Sequence, residues 1–217
     1  MNRYVGIVMA LLTALVFSTS VNAQSSNWSG CHLGLNVGMG SVNNDVAGLN
    51  GWGSSGGIYG VGIGCDVMVP DTQFLVGVFA DYEALNMDSS IGPFVNLSYD
   101  SQKTIGARVG ALITPSTLAY VLVGYSELDT SALKVLGKSF AMPDYSGATV
   151  GGGLETDIGA NLRLGLEYRY SSYDSEKVNF HHHKYAVGFE PEVQTVRLGL
   201  KWAFWAPEPT KTLTSLK

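Results

Sequence analysis

From Cys31 onward every second residue is apolar. Cys31, Leu33, Leu35, Val37 and Met39 alternate with His32, Gly34, Asn36, Gly38 and Gly40. A period of two places the two sets on opposite faces of a strand, whereas a helix would repeat every 3.6 residues or so. The same rhythm returns in Tyr59, Val61, Ile63, Cys65, Val67 and Val69, and again in Phe74, Val76, Val78, Ala80 and Tyr82. It continues in Ile105, Ala107, Val109, Ala111 and Ile113, then in Ala119, Val121, Val123 and Tyr125. A sixth run spans residues 148–155. The seventh sets Leu162, Leu164, Leu166, Tyr168 and Tyr170 against Arg163, Gly165, Glu167, Arg169 and Ser171. The eighth sets Val196, Leu198, Leu200, Trp202 and Phe204 against Thr195, Arg197, Gly199, Lys201 and Ala203.

The connections alternate in length. Pro70–Gln73, Pro115–Thr117 and Asp157–Asn161 are tight, and the stretches 41–57, 85–102, 129–147 and 174–192 read as long loops. Short turns on one side and long loops on the other, joining strands of about ten residues, predict an all-β, eight-stranded antiparallel transmembrane up-and-down β-barrel. Trp28, Tyr82, Tyr125, Tyr168, Tyr170 and Trp202 fall near strand ends, where an interfacial aromatic girdle would lie. A soluble barrel would point apolar residues inward and charges outward. Here the second face carries glycine together with Asp81, Glu83, Arg108, Glu155, Arg163, Glu167, Arg169, Arg197 and Lys201. Small residues and charges of both signs suit a narrow lumen, and a continuous apolar face suits lipid.

Composition sharpens this picture. Charged residues make up 14% of the 217, against about 25% in soluble domains. The net charge of −5 supplies no basic stripe for nucleic acid. Arg3 followed by the apolar stretch 4–17 and by Val21-Asn22-Ala23 reads as a secretory leader over residues 1–23, cleaved before Gln24. The stretch is short for a spanning helix, and none follows it. A closed barrel is the other way to satisfy every backbone amide within a bilayer. The expected organisation is a leader over 1–23, a barrel over 24–204 and a polar tail over 205–217.

Candidate chemistry is sparse. Pairing Cys31 with Cys65 also sets Leu35 opposite Val61 and Val37 opposite Tyr59, so a cross-strand disulfide is expected in an oxidising compartment; two thiols facing lipid are the alternative. The lumen charges form either a salt-bridged plug or a channel lining, and an eight-stranded barrel is just wide enough for its own side chains to fill it. Arg108 with Glu167, and Arg197 with Asp81 or Glu83, are the expected pairs. His181, His182 and His183 have metal-ligand chemistry, but three consecutive residues on a loop make a poor preorganised site, and no metal or other cofactor is expected. Gly38-Met39-Gly40 and Gly60-Val61-Gly62-Ile63-Gly64 precede no helix, which removes the phosphate-loop reading. No acid, base and nucleophile converge on one face at one level, so no enzymatic activity is expected.

Several of these stretches together resemble the alphaproteobacterial outer-membrane immunogenic proteins, small porin-like β-barrel surface antigens. Residues 28–38 resemble the opening W-x-G-x-Y-x-G strand of that family, and Gly77 to Tyr82 its G-x-x-x-D-Y strand. Arg108-Val109-Gly110 with Leu118-Ala119-Tyr120 and Gly124 resembles the central hairpin. Gly151 to Glu155 with Leu166 to Tyr170 resembles the next, and Val196 to Phe204 the final strand. Two positions depart: Cys31 stands where an aromatic is usual, and a tail follows Phe204, the aromatic that would serve as terminal assembly signal. The resemblance implies a structural or surface-antigen role in the outer membrane. A narrow porin and a loop-borne adhesin or receptor are the alternatives. Implied partners are outer-membrane lipid and lipopolysaccharide, the barrel-assembly machinery, and a host or phage ligand on the loops.

Overall fold

The computed structural model describes residues 28–46, 49–91, 95–135, 138–140, 145–174, 176–177 and 188–205. The expected leader, His181 to His183 and residues 206–217 lie outside them. Eight long strands follow one another: β1 (Gly30–Val46), β2 (Leu49–Met68), β3 (Phe74–Ile91), β4 (Val95–Thr114), β5 (Thr117–Val135), β6 (Tyr145–Gly159), β7 (Leu162–Tyr173) and β8 (Gly188–Trp205). Each pairs antiparallel with the next, and β8 returns to pair with β1. The sheet is therefore closed through the barrel wall, where each strand has a partner on both sides. Among the described residues every regular element is a strand.

The two-residue rhythm sets inside against outside. Leu33, Leu35, Val37 and Met39 of β1 point outward, as do Ile105 and Val109 of β4, Val121 and Val123 of β5, and Leu198 and Leu200 of β8. Ile105 keeps 64% of its surface exposed and Leu35 61%. Exposed aliphatic side chains on every strand around a closed barrel would be unsupportable in water, but in acyl chains they are the favourable surface.

The turns on one side are short for identifiable reasons. Ala160 (φ 53°) and Asn161 (φ 61°) both take the left-handed conformation that a tight hairpin turn needs, and the Asp157 carboxylate accepts the Gly159 amide at 2.7 Å. In the first turn Asp71 has φ 60°, and Thr72 donates its hydroxyl to the Val69 carbonyl while accepting the Phe74 amide.

On the opposite side the expected loops shrink. Much of 41–57 is paired strand, with Ser41 opposite Ser55 and Asn43 opposite Gly53. Likewise β3 and β4 stay paired out to Ile91 and Val95, and β4 and β5 out to Val95 and Val135. Short ribbons at Lys138–Phe140 and Glu176–Lys177 add to β5 and β8. Gly, Ser and Asn in these stretches signal turns locally, but a ladder already in register propagates through them. The hairpins thus run well past the roughly ten residues that a bilayer crossing needs.

Candidate functional site in the lumen

The inner wall explains the glycine rhythm. Nearly every inward charge stands opposite a glycine on a neighbouring strand: Asp66 opposite Gly77, Asp81 opposite Gly62, Glu83 opposite Gly60, Glu155 opposite Gly165. Arg169 faces Gly151, Glu167 faces Gly153, Arg197 faces Gly38 and Lys201 faces Gly34. A Cβ on Gly77 or Gly62 would strike the carboxylate of Asp66 or Asp81, and one on Gly38 would lie 2.8 Å from the Cα of Arg197. At Gly34, Gly38, Gly60, Gly62, Gly77 and Gly151 the glycine is the space into which its neighbour's long side chain folds, so the narrow lumen holds charges that it could not otherwise fit.

The charges form two joined clusters. Nearer the short turns, Arg108 holds both oxygens of Asp66, with Nε donating at 2.8 Å and Nη2 at 2.5 Å, and gives Nη1 to Glu155 at 2.9 Å. Lys201 donates to the same Glu155 oxygen, and Arg163 lies 3.8 Å from Asp66 and 3.6 Å from Glu155. His32 Nε2 sits 3.2 Å from Asp66. One level further in, Arg197 bonds to Glu83 and Glu167, and Arg169 to Asp81 and Glu167. The Tyr120 hydroxyl donates to Glu167 at 2.6 Å and links the levels. Aromatic faces sit beside the cations: Tyr120 5.0 Å from Arg108, Phe79 4.9 Å from Arg169.

All of the expected inward charges lie on this wall, but one expected pair is wrong. Arg108 meets Asp66 and Glu155, not Glu167. Strand stagger lifts Glu167 to the level of Arg169 and Arg197, and face alone does not reveal level. Asp66, the carboxylate at the centre of the lower cluster, was absent from the expected set. Its signal was the row Gly60, Gly62, Gly64, Asp66, which puts it on the glycine face beside a turn.

Apolar residues close both ends. At the short-turn end Trp28, Leu75, Phe79, Leu118, Tyr120 and Leu122 form a buried cluster. Trp28 is only 1% exposed, so it is a stopper rather than part of the girdle the sequence suggested. Gly30, at φ 135°, lets the chain take a backbone conformation rare for other residues at the first position of β1. The indole donates to the Pro115 carbonyl at 3.3 Å and stacks 4.6 Å from the Arg163 guanidinium. Toward the other end, Thr104, Ser126, Thr149 and Ser171 pass hydrogen bonds around the wall, and Gln102 donates to both ends of the chain. Val42, Ile58, Leu85, Leu128, Tyr145, Tyr173 and Val193 form the second buried apolar cluster, above this belt.

Outside, Tyr82, Tyr125, Tyr168 and Trp202 are about half exposed, and Phe204 lies 6.0 Å from the Trp202 ring on the outer wall. Cys31 and Cys65 are opposite each other, with Cα atoms 4.0 Å apart and the sulfurs joined. Among the described residues no His, Cys, Asp or Glu group has metal-binding geometry.

A closed antiparallel barrel with a lipid-facing wall and a packed polar interior defines an outer-membrane β-barrel protein. The chain belongs to the outer membrane protein beta-barrel domain family, whose profile matches residues 9–204. It is 26% identical over 181 residues to a 22 kDa outer membrane protein of Rhizobium leguminosarum bv. viciae, covering 82% of this chain and 80% of that one. Among solved structures it is similar to Ail, the attachment invasion locus protein of Yersinia pestis, at 12% identity and a TM-score of 0.48 over 80% of this chain and 99% of that one. It is also similar to the outer membrane protein OprG of Pseudomonas aeruginosa, at 13% identity and a TM-score of 0.48, covering 82% and 98%. The protein resides in the outer membrane.

Proposed function

We propose that this barrel is a non-enzymatic structural protein and surface antigen, which braces the outer membrane and carries extended β-hairpins above it. The observation that carries this reading is the lumen, where ion-paired charges lie between two buried apolar clusters. The inward charges are balanced: Asp66, Asp81, Glu83, Glu155 and Glu167 against Arg108, Arg163, Arg169, Arg197 and Lys201. Such a network is a filled core rather than a selective pore, whose lining would carry one dominant sign. Planar-bilayer recording on the refolded protein tests this. Silence is expected, and steady unit steps would favour the narrow-porin reading.

A second reading, that the surface binds a host or phage ligand, draws support from the long hairpins, which place backbone ladders well outside the bilayer. In the same proposal, residues 1–23 are removed on export, and the strand aromatic Phe204 is presented to the assembly machinery ahead of a short periplasmic tail. The outer wall contacts lipid and lipopolysaccharide, and the Cys31–Cys65 bond is made in the periplasm.

A further inference from the structure

The packed lumen is not completely filled. A cavity of ≈ 60 Å³ lies between the two charge clusters, with Arg108, Arg169, Arg197 and Lys201 in its wall against only Asp81 and Glu167. Asp66, Glu83 and Glu155 partner those cations but do not line the cavity. Cations therefore outnumber carboxylates in its wall, although the lumen as a whole is balanced.

The opening has a structural origin. Gly165 of β7 pairs with Gly199 of β8, and Gly199 pairs in turn with Asn36 of β1. Unlike the glycines that make room for a neighbour's charge, these two face nothing tight. A Cβ on Gly199 would meet no atom closer than 3.7 Å, and one on Gly165 none closer than 3.5 Å. Three buried polar atoms from cavity-lining residues lack a hydrogen-bond partner: Arg169 Nη1, His32 Nδ1 and the Asn36 amide oxygen. Arg169 is 3% exposed and can only donate. Buried donors of this kind are normally met, and a buried cation is stabilised by nearby negative charge.

We infer that this cavity binds one small inorganic anion of halide size, held by Arg169 with Arg197 and Lys201 and enclosed when the barrel folds. The Asn36 amide, turned about its bond to the side chain, offers its NH2 to the same guest. The site is too small for an organic solute, and it does not require the hairpins to have any particular role.

Refolding the full chain in chloride, or at equal ionic strength in gluconate, which is too large to enter, tests the inference. The melting midpoint should be higher in chloride by about 3 °C, as expected for a ligand bound only by the folded state. Gly199→Val puts a branched side chain at the cavity wall, its Cβ no closer than 3.7 Å to the Leu35 carbonyl oxygen. It should abolish the chloride-dependent part and leave any general salt effect in place. Crystals grown in bromide should show one anomalous peak beside Arg169. Equal midpoints in the two salts, or a cavity holding water alone, would overturn the inference, and the wild-type comparison stands even if the variant does not fold.

Discussion

Trp28 lies against Arg163, its ring centroid 4.6 Å from the guanidinium carbon, and its indole N–H reaches the Pro115 carbonyl in the turn between β4 and β5. A residue preceding the first strand thus seals the base of a barrel whose wall it does not join. Trp28→Ala should lower unfolding stability by about 3–5 kcal/mol, as for other buried aromatics. Trp28→Phe, which keeps an aromatic ring but loses the donor and part of the buried volume, should cost less, about 1–3 kcal/mol. Urea titration of the barrel in lipid vesicles measures both.

Arg108 is the hub of the lower cluster. Arg108→Met leaves Asp66 and Glu155 buried without their main partner and should destabilise by about 3–5 kcal/mol. Adding Asp66→Asn removes the stranded charge, so the double variant should lose much less than the two single losses summed. Strict additivity in the same titration would show that the two side chains are not coupled.

Gly38 faces Arg197 across the β1–β8 seam, and a methyl group there would collide with the Val196 carbonyl and the Arg197 backbone. Gly38→Ala should cost about 1–3 kcal/mol through forced displacement. Gly199→Ala, on the same seam and equally inward, should be nearly neutral. Heat-modifiable mobility of unboiled samples separates the two: the Gly38 variant should lose the compact band at a lower temperature.

The Cys31–Cys65 bond closes a loop with a sequence separation of 34. Replacing both with serine should lower stability by about 3–4 kcal/mol on the chain-entropy account. Mass spectrometry of protein taken from the outer membrane without reductant should show no alkylatable thiol.

The strand faces were legible because lipid outside and a crowded lumen inside impose opposite chemistry on alternate residues, and Leu162 to Ser171 shows this without ambiguity. Which charges meet was less legible. Arg108 and Glu167 share an inner face, but contact depends on the stagger around the closed sheet, which no single strand encodes. The apolar ends of the lumen were hidden for a related reason. Leu75, Phe79, Leu118 and Leu122 sit on the nominally polar face, so alternation alone marks them as exceptions rather than as a plug. Trp28 misled because a tryptophan near a strand end fits a girdle equally well, and only the left-handed Gly30 redirects it.

The stopper also makes the molecule its own folding gauge. The indole contacts Pro115 and Arg163, far along the chain, so it loses water only once the turn between β4 and β5 and the strand bearing Arg163 stand beneath it. Trp202, by contrast, stays on the outer wall facing lipid. A blue shift and shielding from aqueous quenchers traceable to position 28 would therefore time the completion of the base, separately from the moment the outer wall enters the bilayer.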